Sequence, residues 1–190
     1  MQAHGQELDK MTYKDSVEYI TQKIKKAIDN LDECTVDQMI ESFFESKKMF
    51  IYGVGRSGLA SKGFAMRLMH LGFKIYVMGE TVTPPVDEGD AVILVSGSGR
   101  TNSVLKIARI SEEIGARIVV ITADKKSPLA EMGNLVIELQ VDKEKNPKLA
   151  PLGTIFEATS ALFFDGIVSE LLERMDENEE RMTARHATLE

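Results

Sequence analysis

Cysteine, tryptophan and long apolar runs are scarce or absent in this chain. The single cysteine, Cys34, excludes a disulfide within the chain and a cysteine cluster for a metal, which suits a reducing compartment. No apolar run is long enough to span a membrane, and the first residues lack the charged and apolar segments of a signal peptide. We therefore expect a soluble, cytoplasmic protein.

Basic residues are too few for a nucleic-acid surface. The 23 Lys and Arg are outnumbered by 30 Asp and Glu, so the formal net charge is −7. Such a chain does not attract a polyanion, although local donors can still hold one phosphate ester. The expected ligand is therefore a small molecule, and neither nucleic acid nor a membrane is an expected partner.

Short apolar strands alternate with amphipathic helices along most of the chain. Two helices come first, one beginning at Tyr13 and one from Val36 to Lys47, with Thr35 as the predicted cap of the second. Five predicted strands follow at Met49–Val54, Lys74–Met78, Ala91–Val95, Arg117–Thr122 and Leu135–Leu139. Predicted helices lie at Ser57–Leu71, Asn102–Ile114, from Ser127-Pro128, and at Thr154–Met175. Strands joined by helical crossovers predict a doubly wound α/β fold, a five-stranded parallel sheet with helices on both faces.

This alternation leaves room for one domain. We expect a flexible tail at residues 1–11 and a single domain at residues 12–190. Within it, residues 12–47 form a helical arm, residues 48–178 the α/β core and residues 179–190 a functional tail. In such sheets ligands bind beyond the carboxyl ends of the strands.

The turn from Ser96 to Thr101 joins a buried strand to a helix and is rich in hydroxyl groups and glycine. Its hydroxyls belong to Ser96, Ser98 and Thr101. Gly97 and Gly99 let the backbone approach an oxyanion, and Arg100 adds charge if it turns inward. A simpler interpretation is a turn in which one serine caps the helix. Because a cap needs one hydroxyl and three are present, we favour a phosphate cradle.

An earlier turn, Gly53–Gly58, matches the dinucleotide pattern G-x-G-x-x-G, and Glu80 lies at a suitable distance for a ribose contact. Three features weaken that interpretation: Arg56 and Ser57 occupy the loop, a second phosphate-type turn follows, and no residues remain for a substrate domain. The alternative is that both turns hold one phosphorylated ligand, with Gly55 and Ser57 near its sugar end.

One carboxylate and one histidine are further candidates for the chemistry. Glu157 lies near the start of the apolar helix Thr154–Met175, where burial is expected to raise its pKa as a general base requires. Alternatively, the Glu157 carboxylate has only a stabilising interaction with the positive N-terminal end of that helix. His186 lies in a polar tail, where a lone histidine is usually solvated. His70, at a helix end, is expected to interact with the helix dipole.

Taken together, six motifs carry a resemblance to a known family. They are Gly53-x-Gly55-Arg56-Ser57, Gly79-Glu80-Thr-Val-Thr-Pro84, Gly89-Asp90, Ser96-Gly-Ser-Gly-x-Thr101, Pro151-x-Gly-Thr-x-Phe-Glu157 and Arg185-His186-Ala-x-Leu-Glu190. From Tyr13 to Glu190 the chain resembles the sugar isomerase (SIS) domain superfamily and, within it, the 6-phospho-3-hexuloisomerase family. The first eleven residues extend beyond the pattern, and Thr188 stands where it has asparagine.

The resemblance implies an isomerisation without metal or cofactor, which moves a ketone between the third and second carbons of a phosphorylated ketohexose. It implies Glu157 as the base and His186 as its assistant, from the same or an adjacent subunit. The implied substrate contacts are Gly55, Arg56, Ser57, Ser96, Gly97, Ser98 and Thr101. It also implies a homo-oligomer, a tetramer by resemblance. A non-catalytic sugar-phosphate sensor and an isomerase of another phosphosugar remain alternatives.

Overall fold

The computed structural model describes residues 11–141 and 146–188. Its elements are α1 (Tyr13–Asp29), α2 (Glu33–Glu45), β1 (Met49–Gly53), α3 (Arg56–His70), β2 (Ile75–Val77), β3 (Ala91–Val95), α4 (Asn102–Ile114), β4 (Arg117–Thr122), α5 (Pro128–Glu131), β5 (Leu135–Glu138), α6 (Thr154–Arg174) and α7 (Glu179–Ala184). Residues 1–10 of the predicted flexible tail lie outside the described residues. Within the described ranges, no helix is both long and apolar enough to cross a membrane.

The five strands form one parallel sheet in the order β2-β1-β3-β4-β5, which confirms the predicted doubly wound architecture. β1 and β3 are neighbours, and Gly53 at the end of β1 pairs with Val95 at the end of β3. The turns that follow these two strands therefore begin side by side. This is also where the strand order reverses, the place at which ligands bind in open α/β sheets.

Apolar side chains cover both faces of the sheet. One face packs against α2, α3 and α6, and the other against α4 and α5. On the first face the rings of Phe64 and Phe164 stack with 4.3 Å between their centroids, which joins α3 to α6. Because each of these helices begins at the carboxyl edge of the sheet, their packing fixes the distance between their N-termini.

Two local predictions differ from the structure. Helix α2 begins at Glu33, earlier than predicted, because the Asp32 carboxylate rather than the Thr35 hydroxyl caps it. The Cys34 N–H donates to Asp32 at 3.3 Å, and the Thr35 hydroxyl itself donates to Asp32. The short helix α7 was not predicted. Its cap is Asn178, and buried Met182 packs into the core.

We predict that Phe164→Ala lowers the free energy of unfolding by about 3–5 kcal/mol, because it removes a fully buried ring that stacks on Phe64. The matched control is Leu162→Ala on the same helix, whose side chain is 54% exposed, and it should cost less than about 1 kcal/mol. Urea denaturation followed by circular dichroism measures both. Equal losses would contradict this description of the core.

Candidate functional site

A cleft of about 300 Å³ opens at the carboxyl edge of the sheet, where β1 and β3 end. Its lining residues are Val54, Ser57, Val95, Ser96, Gly97, Ser98, Thr101, Ala123, Gly153, Phe156 and Glu157. The serine-rich turn, the first glycine turn and the carboxylate thus come together in one place. The structure brings together most of the candidate residues that the sequence suggested.

Helices α3, α4 and α6 all begin at this cleft, and none of them has a side-chain cap. Their N-cap residues are Gly55, Thr101 and Gly153. The other helices of the described chain each have a side-chain cap, from Thr12, Asp32, Ser127 and Asn178. Three sets of uncapped N–H groups and three positive dipole ends therefore meet at one point, an arrangement that is typical of anion sites.

The donors of the serine-rich turn remain available to a ligand. The hydroxyl of Ser96 lies 3.3 Å from that of Thr101, and Ser98 Oγ accepts from the Arg100 N–H at 3.2 Å. The backbone N–H groups of Gly97, Ser98 and Thr101 donate to no other group in the described part of the chain. The N-cap residue of α4 is Thr101 rather than a serine, and its side chain makes no capping hydrogen bond, so the structure does not support the simpler interpretation of a serine cap.

The end of β4 and the segment after it hold this turn in place, a support that sequence reasoning missed. The carbonyl of Gly97 accepts from the Ala123 N–H at 3.1 Å and from the buried Thr122 hydroxyl at 3.3 Å. The carbonyl of Gly99 accepts from the Leu129 N–H at 3.1 Å. In a trans peptide the N–H points opposite to the C=O. Anchoring a carbonyl therefore directs the N–H of the same peptide away from the supporting segment.

Both glycines of the turn are required by close contacts. A Cβ at Gly97 would lie 2.9 Å from the ring of Phe156. At Gly99 the backbone φ is +59°, and a Cβ would lie only 2.0 Å from Ser127 Oγ. The turn can therefore approach α6 and the start of α5 only because both positions lack a side chain.

Arg56, and not Arg100, supplies a positive charge next to the base candidate. Arg100 turns to Asp124, with 3.0 Å between its Nη2 and the carboxylate. Arg56 Nε lies 2.7 Å from Glu157 Oε2. Glu80, the ribose contact of the dinucleotide hypothesis, pairs instead with Lys62 at 2.6 Å. These contacts favour one phosphorylated ligand over a dinucleotide.

Glu157 has the environment expected of a general base. It lies in the first turn of α6, and its side chain is only 16% exposed. Burial raises the pKa of the carboxyl above its usual value, and the charge of Arg56 lowers it by less. The contact with Arg56 is an ion pair without hydrogen-bond geometry, so Oε2 accepts no hydrogen bond from the described residues. A carboxylate in this environment is poorly solvated, and its Oε2 atom is available to accept a proton.

His186 lies far from the cleft of its own chain. Its exposed ring stacks on the ring of His70, with 5.0 Å between the centroids. The tail is fixed there because Arg185 donates to the His70 carbonyl at 2.9 Å and pairs with Glu177. His70 ends α3, whereas Arg56 begins it. The 15 residues of the helix separate the two ends by about 20 Å.

The comparisons with a family model and with individual known proteins agree with one another. Residues 42–163 match the model of the SIS domain family. The chain is 43% identical to the 3-hexulose-6-phosphate isomerase of Methanocaldococcus jannaschii over 154 residues, which cover 81% of this chain and 83% of that one. It is 36% identical to the enzyme of the same name from Bacillus subtilis, with 81% and 86% covered.

A solved structure from Methanococcus jannaschii, with an inferred function of 3-hexulose-6-phosphate isomerase, superimposes on this fold. Its TM-score is 0.82 at 41% sequence identity. The superposition covers 93% of this chain and 98% of that one.

We predict that Arg56→Met raises the pKa of Glu157, because the charge of Arg56 opposes the effect of burial and the variant removes that charge. The pKa is measured by following the labelled carboxyl carbon of Glu157 by NMR during a pH titration. Arg100→Met is the matched control, since Arg100 pairs with Asp124 and should leave the titration of Glu157 unchanged. An unchanged or lower pKa in Arg56→Met would contradict the ion pair.

Proposed function

Because the chain belongs to the SIS domain family and, within it, to the 3-hexulose-6-phosphate isomerases, we propose that it interconverts D-arabino-3-hexulose 6-phosphate and fructose 6-phosphate through a cis-enediol. One observation carries the mechanism: a partly buried carboxylate with a raised pKa, Glu157, lies in the same cleft as the proposed anion cradle. The carboxylate supplies the base, and the cradle supplies the grip on the phosphate.

The phosphate occupies the turn between β3 and α4. The hydroxyls of Ser96, Ser98 and Thr101 donate to it, together with the free backbone N–H groups of Gly97, Ser98 and Thr101. The N-terminus of α4 adds the positive end of its dipole. Binding energy from this remote group orients the reacting carbons next to the base.

Glu157 moves the proton between neighbouring carbons. From fructose 6-phosphate it removes the hydrogen on the third carbon, and the electron pair forms the double bond of the enediol. It then returns the proton to the second carbon, while a hydroxyl proton passes from the third oxygen to the second. Gly55, Arg56 and Ser57 at the start of α3 face the sugar end, where a positive charge and a helix N-terminus stabilise the developing oxyanion.

His186 serves the ring chemistry or the proton transfer between the enediol oxygens. The 3-ketose cannot close a furanose ring, because its phosphate blocks the hydroxyl that would attack, whereas fructose 6-phosphate is mostly cyclic. Since His186 is held at the far end of α3 from Glu157, it acts in the site of an adjacent subunit. A homo-oligomer, a tetramer by resemblance to the family, provides that neighbour.

The remaining alternatives account for less of the cleft. A sugar-phosphate sensor needs the cradle but has no use for a partly buried carboxylate with a raised pKa. An isomerase of another phosphosugar would use the same cradle and base, so only the reaction product separates it from the proposed enzyme. A cytoplasmic location is consistent with the one exposed, unpaired cysteine, Cys34. The same chemistry serves either direction of the ribulose monophosphate pathway.

We predict that Glu157→Gln reduces turnover by about 10²–10⁴-fold, because glutamine cannot accept the proton. The test is fructose 6-phosphate in heavy water, followed by NMR with both proteins. The unmodified enzyme should place deuterium on the third carbon and form a 3-ketose, and the variant should do neither while still binding the sugar. Exchange on the first carbon with an aldose product would identify a different phosphosugar isomerase, and binding without exchange would identify a sensor.

We predict that His186→Ala slows the conversion of fructose 6-phosphate by about 10²-fold, because the variant lacks the imidazole that transfers protons. Steady-state rates measured in both directions provide the test. Thr183→Ala, a change in the same tail, is the control and should retain the rate. Full turnover of His186→Ala in both directions would remove the histidine from the mechanism.

A further inference from the structure

Packing fixes the distance between the serine-rich turn and Glu157. Phe156, which precedes Glu157 on α6, is buried, and its ring lies so close to Gly97 that a Cβ there would be 2.9 Å from it. On the other side, the Ala123 N–H and the Thr122 hydroxyl hold the carbonyl of Gly97. Because the turn is held between α6 and the end of β4, a phosphate bound in it lies at one distance from the base.

A fixed distance selects the reacting carbons by their separation from the phosphate. In the proposed reaction the phosphate is on the sixth carbon, and the reacting carbons are the third and second, three and four carbons away. The next carbon along a sugar chain is about 1.5 Å further on. A displacement of about 1 Å can cost about 10²-fold in rate. The cleft therefore recognises a reacting pair three and four carbons from the phosphate, whatever the total length of the sugar.

The end of the cleft beyond the reacting pair is open. In the proposed reaction this end receives only the first carbon and its hydroxyl, at the start of α3. A Cβ at Gly55 would meet no atom within 4 Å, and the side chain of Arg56 is 59% exposed. A sugar without the first carbon therefore leaves no buried donor unpaired. Such a loss lowers kcat/KM by about 10–200-fold, whereas an unpaired buried group costs about 10⁴-fold or more.

We propose that the same cleft also isomerises 2-ketopentose 5-phosphates, an activity that rests on the proposed function because it uses the same base and cradle. Replacing the first carbon of D-arabino-3-hexulose 6-phosphate with hydrogen gives D-ribulose 5-phosphate. The same replacement in fructose 6-phosphate gives D-arabinose 5-phosphate. In both pairs the reacting carbons lie three and four carbons from the phosphate, and the remaining hydroxyls keep their configuration.

The proton transfer follows the same course on the shorter sugar. Glu157 removes one hydrogen of the first carbon of ribulose 5-phosphate as a proton, and the electron pair forms the double bond of the enediol. The base returns a proton to the second carbon, while a hydroxyl proton passes from the second carbon's neighbour, the first oxygen, to the second oxygen. Because the sugar is held by the same phosphate contacts, the proton arrives on the same face as in fructose 6-phosphate. The product is therefore arabinose 5-phosphate and not ribose 5-phosphate.

The test is ribulose 5-phosphate in heavy water, followed by NMR, with fructose 6-phosphate in a parallel sample. The protein should form arabinose 5-phosphate with deuterium on the second carbon and should place deuterium on the first carbon of ribulose 5-phosphate. Its kcat/KM should be about 10–200-fold below that for fructose 6-phosphate. Glu157→Gln, purified in the same way, is the matched control. It should lose both reactions, which separates this activity from that of a contaminating isomerase.

The two sugars together distinguish failure of this proposal from failure of the proposed function. Conversion of fructose 6-phosphate without exchange in ribulose 5-phosphate would overturn the second activity alone, as would ribose 5-phosphate as the product. Conversion of ribulose 5-phosphate that fructose 6-phosphate does not inhibit competitively would overturn the shared cleft. Conversion of neither sugar would overturn both proposals.

Discussion

Three helix N-termini without side-chain caps at one cleft are the constraint on which the site depends. Leaving a helix uncapped costs about 1 kcal/mol, and this chain caps its helices elsewhere in the described residues. The cost is concentrated where α3, α4 and α6 begin. The parallel pairing of β1 with β3 and the stacking of Phe64 on Phe164 hold these termini together. A phosphate and a developing oxyanion are the groups that such a cleft stabilises.

The proposed role of Glu157 as the base depends on two opposing effects on the pKa of its carboxyl group. Glu157 lies next to the buried residues Ile155 and Phe156 in the first turn of α6, so burial raises its pKa, while Arg56 restrains the rise from across the cleft. Neither effect alone suits a base that must accept a proton from carbon and return it. Arg56 is itself exposed and begins α3, so it can also face the sugar.

The sequence predicted best what depends on local pattern. The limits of β3, α4 and β4 agree with the structure because apolar runs and turn residues define them. Contacts between distant residues could not be predicted in this way. Arg100 faces away from the cleft because Asp124, 24 residues later, pairs with it. Thr122, at the end of β4, supports the turn Ser96–Thr101 through a hydrogen bond to the Gly97 carbonyl, 25 residues earlier in the chain.

The most direct measurement is a ³¹P NMR titration of fructose 6-phosphate bound to Glu157→Gln, which holds the sugar without converting it. If uncapped helix termini and N–H groups hold the phosphate, they favour its dianion. We predict that the second pKa of the bound phosphate falls well below its free value of about 6, and that Arg100→Met does not change this. A bound phosphate that titrates as it does in water would contradict the anion cradle.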